Sequence, residues 1–170
     1  MEKIFSRKTE DYLEAIFKIM EEKGYAKIKD ISSFLDVRPP SAVEMVKKLN
    51  DRGLAIHKKY ECVTLTPKGE EIGRLISDRH ATIRAFLEII SVPKWIADTD
   101  ACVIEHELHS ETIGQIKNLV SFVKSAPDNP EWLEHFEIFC ETGEHTCGEK
   151  KHAEMEKAHP LSTLRIEIQE

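Results

Sequence analysis

The chain has 170 residues, 41% of them hydrophobic, and 24 Lys and Arg against 31 Asp and Glu give a net charge of −7. That is apolar material for one domain or two small ones with a real core, while no apolar run approaches the roughly 20 residues of a membrane span. The charge is uneven: residues 1–67 carry 13 basic side chains against 11 acidic, and residues 68–170 carry 11 against 20, which suits a module that touches phosphates joined to one that does not.

Tyr12, Leu13, Ile16, Phe17, Ile19 and Met20 form an apolar stripe at helical spacing, predicting a helix from about Ser6 to Lys23 that Gly24 ends. A short periodic segment, Ile31, Phe34 and Leu35, follows. Pro39 and Pro40 open the next helix, since the first turn leaves its N–H groups unpaired anyway. It should run to about Arg52 with Val43, Val46 and Leu49 inward and Gly53 as its stop. Leu54, Ile56, Tyr60, Val63 and Leu65 mark two short strands around Lys58 and Lys59. This order is that of a winged helix-turn-helix, in which the second helix of the turn enters the major groove and the hairpin meets the backbone beside it; a compact protein-binding module is the alternative. On the DNA reading, Arg38, Pro39, Ser41, Glu44 and Lys47 on the reading helix, with Ala42 beside them, face groove or phosphate. Lys58 and Lys59 on the wing do so too, with Arg7 ahead of the first helix.

Thr66-Pro67 restarts the chain as a long helix to about Ile90, and Ser91-Val92-Pro93 breaks it. A further helix carries Cys102 to His106, and another spans Ser110 to Ser125 with Ile113, Ile116, Leu119, Val120 and Phe122 apolar. These faces exceed what short helices bury among themselves, so segments 93–107 and 110–125 are expected to form a twofold interface with a second copy. Ala126 to Pro130 reads as a linker before a helix around Trp132 to Phe139 and a polar tail. The expected architecture is mainly α: a winged helix-turn-helix over 1–67, an all-helical metal-binding and dimerisation domain over 68–125, and a helical tail over 126–170.

Cys102, Glu105 and His106 at i, i+3 and i+4 put a thiol, a carboxylate and an imidazole on one face about a turn apart. Asp11 and Glu14 on the first helix and His80 on the long one complete six candidate metal ligands. Taken singly, Cys102 is equally a small buried apolar residue, and each histidine a solvated or hydrogen-bonded one. A metallohydrolase could use the same set with one position open to water, but it would leave the winged helix unexplained; a metal-independent winged-helix regulator would leave the ligands unexplained. Without a secretion signal over Met1 to Thr9 the expected compartment is the cytoplasm, where Cys62, Cys102, Cys140 and Cys147 stay reduced or act as ligands. Cys140 and Cys147, with six intervening residues and His135, His145, His152 and His159 nearby, are candidates for a second metal or redox site. Their spacing exceeds that of a zinc knuckle.

Thr9-Glu10-Asp11-Tyr12-Leu13-Glu14-Ala15-Ile16, Leu65-Thr66-Pro67-Lys68-Gly69, Arg79-His80 and Cys102-Val103-Ile104-Glu105-His106 occur in that order. Over roughly residues 5 to 125 the chain thereby resembles the diphtheria toxin repressor family, which includes iron-dependent repressors and manganese transport regulators. The resemblance implies a non-enzymatic, homodimeric repressor that binds operator DNA, an inverted repeat, when loaded with Mn²⁺ or Fe²⁺, with Co²⁺, Ni²⁺ or Zn²⁺ as substitutes in vitro. It also implies Asp11, Glu14, His80, Cys102, Glu105 and His106 as ligands. Asp11 and Glu14 follow the manganese-type pattern and Cys102 the iron type. Arg84 and Asp98 stand where the iron type has a carboxylate and a histidine for a second metal, and the C-terminal barrel of that branch is expected to be absent.

Overall fold

The computed structural model describes residues 5–57, 61–128 and 130–145. Lys58, Lys59, Cys147, His152 and His159, singled out above, lie outside them. The helices are α1 (Arg7–Lys23), α2 (Ile28–Phe34), α3 (Pro39–Asp51), α4 (Pro67–Ile89), α5 (Lys94–Ile104), α6 (Ser110–Ser125) and α7 (Glu131–Thr142), with strands β1 (Ala55–Ile56) and β2 (Thr64–Leu65) between α3 and α4. Contacts divide the chain into two compact units, Met1–Phe122 and Val123–Glu170.

α1 starts at Ser6, whose side chain accepts from the Thr9 N–H, and stops at Gly24, which takes the left-handed conformation at φ 76°. Prolines occupy the first turn of α3, and Gly53 supplies a left-handed residue (φ 67°) just beyond it. β1 and β2 pair antiparallel with Ala55 opposite Leu65 and Ile56 opposite Thr64. An isolated antiparallel bridge between Ala26 and Val63 sets a further segment, ahead of α2, beside the two-stranded sheet of the wing. Tyr12, Leu13, Ile16, Ile31, Val46, Leu49, Leu54, Val63 and Ile76 belong to one buried core shared by α1 to α4 and the wing.

The inward face of α3 differs from the expectation. Ala42, Met45, Val46 and Leu49 are buried, whereas Val43 is 45% exposed. An inward set at i, i+3, i+4 and i+7 is the helical period. The expected set of 43, 46 and 49 drifts off it, so Ala42 faces the core rather than a groove.

α4 joins this core to a second, smaller one. Thr66 caps it, accepting from the Gly69 N–H at 3.1 Å while donating to the Gly53 carbonyl at 2.8 Å. Its first half lies against α1 and the wing with no room for side chains: a Cβ on Gly69 would sit 1.9 Å from the Leu54 carbonyl oxygen, and one on Gly73 2.8 Å from Phe17 Cβ. Its second half packs on α5, where Ile83, Ala101 and Ile113 form a core with Leu87, Ile104 and Leu108 around it. His80 falls between the two cores. α5 is shorter than expected: it ends at Ile104, so Glu105 and His106 lie in the turn beyond its C-terminus. On α5 and α6, Trp95 is 75% and Phe122 62% exposed, with Val103 and Leu119 also at the surface. In the second unit, α7 ends at a left-handed Gly143, Phe139 stacks on His145, and Cys140 is exposed with a free thiol.

Candidate metal centre and DNA-reading face

Three segments converge on Glu105. α1 brings Glu10, Asp11 and Glu14, α4 brings His80, and the end of α5 with its following turn brings Cys102, Glu105 and His106. Glu105 is 2% exposed and divides its carboxylate between two imidazoles, Oε2 lying 3.1 Å from His80 Nδ1 and Oε1 3.2 Å from His106 Nε2. Ligand atoms of Glu14, His80 and Glu105, all three buried, lie within 4.8 Å of one another. Cys102 Sγ stands 3.7 Å from His80 Nδ1, and Asp11 Oδ1 stands 2.9 Å from His106 Nε2. All six expected ligands therefore gather around the Glu105 carboxylate in two lobes, Glu14, His80 and Cys102 on one side and Asp11 and His106 on the other. Cys102 is exposed, which sets aside its reading as a buried apolar residue.

The electrostatics are those of an anionic pocket filled with protons. The His80 pKa is raised to about 10, by Cys102 first and then Glu105 and Asp98, against burial. That of His106 is also raised to about 10: burial opposes it, but Asp11, Glu105 and Glu10 together outweigh the desolvation. Glu105 is held below the usual carboxylate range because its bonds to His106 and His80 overcome burial, the largest single effect on it. Two buried atoms of this cluster nevertheless lack an aligned hydrogen bond, His106 Nε2 and Glu14 Oε1. Asp11 is near the first, and Lys18 Nζ lies 2.7 Å from the second, so these contacts are close in distance but poor in direction. Buried donors and acceptors normally find aligned partners. Inward-facing carboxylate and imidazole atoms without them, beside a thiol, are what a divalent transition ion would coordinate, and the residues fit such an ion.

Sequence reasoning missed Glu10, whose Oε2 lies 2.6 Å from His106 Nδ1 and so orients that ring from behind. Its spacing of four from Glu14 was the available signal.

On the DNA-reading face Arg38, Pro39, Glu44 and Lys47 are exposed and Ser41 is half-buried. Glu44 is paired with Lys48 at 2.7 Å. Arg7 points elsewhere: its Nη2 donates to the Cys102 carbonyl at 3.2 Å, tying the start of α1 to the end of α5.

Residues 4–63 match the model of the iron dependent repressor N-terminal DNA binding domain, and residues 66–134 that of the iron dependent repressor metal binding and dimerisation domain. The HTH-type transcriptional regulator MntR of Listeria welshimeri is 41% identical over 128 residues, covering 75% of this chain and 90% of the relative. That of Lysinibacillus sphaericus is 38% identical over 125 residues, covering 74% and 90%. Among solved structures, IdeR of T. acidophilum aligns with a TM-score of 0.59 at 30% identity over 65% of this chain. The manganese regulator SloR aligns with a TM-score of 0.60 at 27% identity over 70%. The chain spans only 52% and 56% of the lengths of those two chains.

Proposed function

The chain belongs to the iron-dependent repressor family of metal-dependent transcriptional regulators, and we propose that it works as a homodimer that binds an inverted-repeat operator in the cytoplasm when loaded with Mn²⁺ or Fe²⁺, controlling metal-ion homeostasis without catalytic turnover. The observation that carries this reading is the placement of Glu105. A single buried carboxylate on the metal-binding side faces ligands from α1, which is a helix of the DNA-binding fold.

A bound divalent ion supplies the positive charge that Asp11, Glu14 and Glu105 share. Protons on His80 and His106 do part of that work without it, and they must leave for the ring nitrogens to act as ligands. α1 packs on α2 and α3, so fixing Asp11 and Glu14 against Glu105 fixes the orientation of the reading helix. The free energy of loading thereby becomes a shift in the population of the DNA-competent arrangement. The exposed Arg38 and Lys47 are assigned to phosphate contacts. The exposed Val43, with Pro39 and Ser41, offers apolar and small contacts of the kind that read thymine methyl groups and shape.

The exposed apolar side chains of α5 and α6 are assigned to the dimer contact. Anaerobic titration of operator-type DNA binding with Mn²⁺, Fe²⁺, Co²⁺ and Zn²⁺ tests the reading. DNA affinity should rise with metal and no substrate should turn over, whereas chelator-insensitive binding, or a stable monomer in sedimentation at micromolar concentration with and without metal, would refute it. An alanine pair at Lys58 and Lys59 should weaken binding across sequences and flatten its salt dependence.

A further inference from the structure

His80 has two ring nitrogens, and only one faces the centre. Nδ1 points to Glu105 and Cys102, while Nε2 lies 3.2 Å from Asp98 Oδ1. The same Asp98 oxygen receives Arg84 Nη1 at 3.5 Å, and Arg84 is in turn held by Glu88, Nε to Oε1 at 2.9 Å. The spacing explains the assembly: His80, Arg84 and Glu88 repeat every four residues along one face of α4, and Asp98 and Cys102, also four apart, line the opposing face of α5. The ring is nearly enclosed, its side chain 6% exposed, while Asp98 is 55% exposed, so the contact sits at the rim of the site.

We propose that Asp98, clamped by Arg84, is a positioning residue for the metal centre: it accepts the Nε2–H of His80 and fixes the ring in the tautomer whose Nδ1 lone pair faces Glu14, Glu105 and Cys102. A carboxylate behind a ligating histidine sets ring orientation and raises the basicity of the ligating nitrogen. An imidazole without it divides its neutral population between two tautomers, one of which presents N–H to the centre. Arg84 acts one step further out, holding the Asp98 carboxylate in register with the ring.

This rests on the metal-centre reading above, and the experiment separates the two. Full-length wild-type, Asp98→Ala, Asp98→Asn, Arg84→Ala and Glu105→Gln proteins are compared by calorimetric titration with Mn²⁺ and, loaded with Zn²⁺, by ¹⁵N NMR of the histidine rings. Asp98→Ala should lose about 10- to 100-fold in Mn²⁺ affinity. Asp98→Asn, whose amide oxygen still accepts, should recover part of it, and Arg84→Ala should show a smaller loss in the same direction. In the Zn²⁺-loaded wild type, His80 should carry its proton on Nε2, with the hydrogen-bonded shift lost in Asp98→Ala. A purely structural role would lower thermal stability without moving the ring signals. Wild-type Mn²⁺ affinity in Asp98→Ala together with a weakened Glu105→Gln, or a proton on Nδ1 in the loaded wild type, would overturn the proposal and leave the metal centre standing. Unchanged affinity in Glu105→Gln would remove the centre itself and this proposal with it.

Discussion

Glu105→Gln is the sharpest perturbation of the centre because it keeps the shape of the side chain and removes only its charge. In the metal-free protein the carboxylate accepts from the His80 ring at 3.1 Å and is ion-paired at 3.2 Å, without good hydrogen-bond direction, to the His106 ring, both imidazoles being protonated at neutral pH. Hydrogen bonds to charged groups are worth about 1.5–3 kcal/mol each, and breaking a buried ion pair costs about 3–5 kcal/mol. A glutamine oxygen retains one of the two contacts while its amide N–H₂ meets the other ring's N–H, so the loss should fall at the lower end, about 3 kcal/mol. Denaturant unfolding of the metal-free protein at pH 7 measures it. The folded carboxylate titrates below its ordinary 4.5, so its contribution is present above that pH and is lost as pH falls further. The gap between wild type and variant should therefore close in acid. It should also narrow as the imidazoles lose their protons toward pH 10. With Mn²⁺, operator binding should need more metal by at least tenfold. A variant as stable as wild type at pH 7, with the same metal dependence, would refute both the pairing and the ligand assignment.

Cys102→Glu should make the donor set all carboxylate and imidazole, shifting activation toward Mn²⁺ and away from Fe²⁺ and Co²⁺; equal metal preference in DNA-binding titrations would make the thiol a bystander. Loading must displace protons from His80 and His106, both held up to about 10, so metal affinity measured with metal buffers from pH 6.5 to 9 should climb with a slope approaching about two log units per pH unit, and a flat profile would count against both rings as ligands. The same raised values mean that these pairs stabilise the metal-free fold fully below 6.5 and lose that contribution as pH rises toward 10, so the melting temperature of the chelated protein should fall across this window. Gly73→Ala places a methyl 2.8 Å from Phe17 Cβ and 2.9 Å from the Leu13 carbonyl oxygen. The resulting overpacking should cost about 1–3 kcal/mol in thermal or urea unfolding; a neutral effect would show that α4 shifts freely along α1.

Much of this was readable from residue order because the signals were local. Ser6 and Gly24 bound α1, the paired prolines open α3, and Thr66-Pro67 opens α4, each through one or two residues whose backbone chemistry permits little else. The six candidate ligands were readable for a similar reason: thiol, carboxylate and imidazole at helical spacing are few enough to be noticed. What was misread depends on tertiary context. Val43 is as apolar as Val46, and only the packing of Ala42 and Met45 decides which edge of α3 turns inward. Glu105 and His106 sit past the last turn of α5, a boundary that helix periodicity does not mark. Glu10 and Arg7 are ordinary surface charges by sequence, and their partners, His106 and the Cys102 carbonyl, lie 96 and 95 residues away. No local pattern encodes such distances.

The two glycines on α4 carry a mechanical consequence. With Gly69 seated on the Leu54 backbone and Gly73 on Leu13 and Phe17, helix backbone lies directly against its neighbours with no side chain between them to flex or change rotamer. α1 and the first half of α4 are thereby joined as one beam, and His80, two turns beyond Gly73, stands where α4 leaves that beam and passes onto α5. The centre is split along a seam between the beam on one side and the end of α5 with its turn on the other. On the proposed ligand set, loss of the ion would open one joint, between the carboxylates of α1 and the contiguous run from Cys102 to His106.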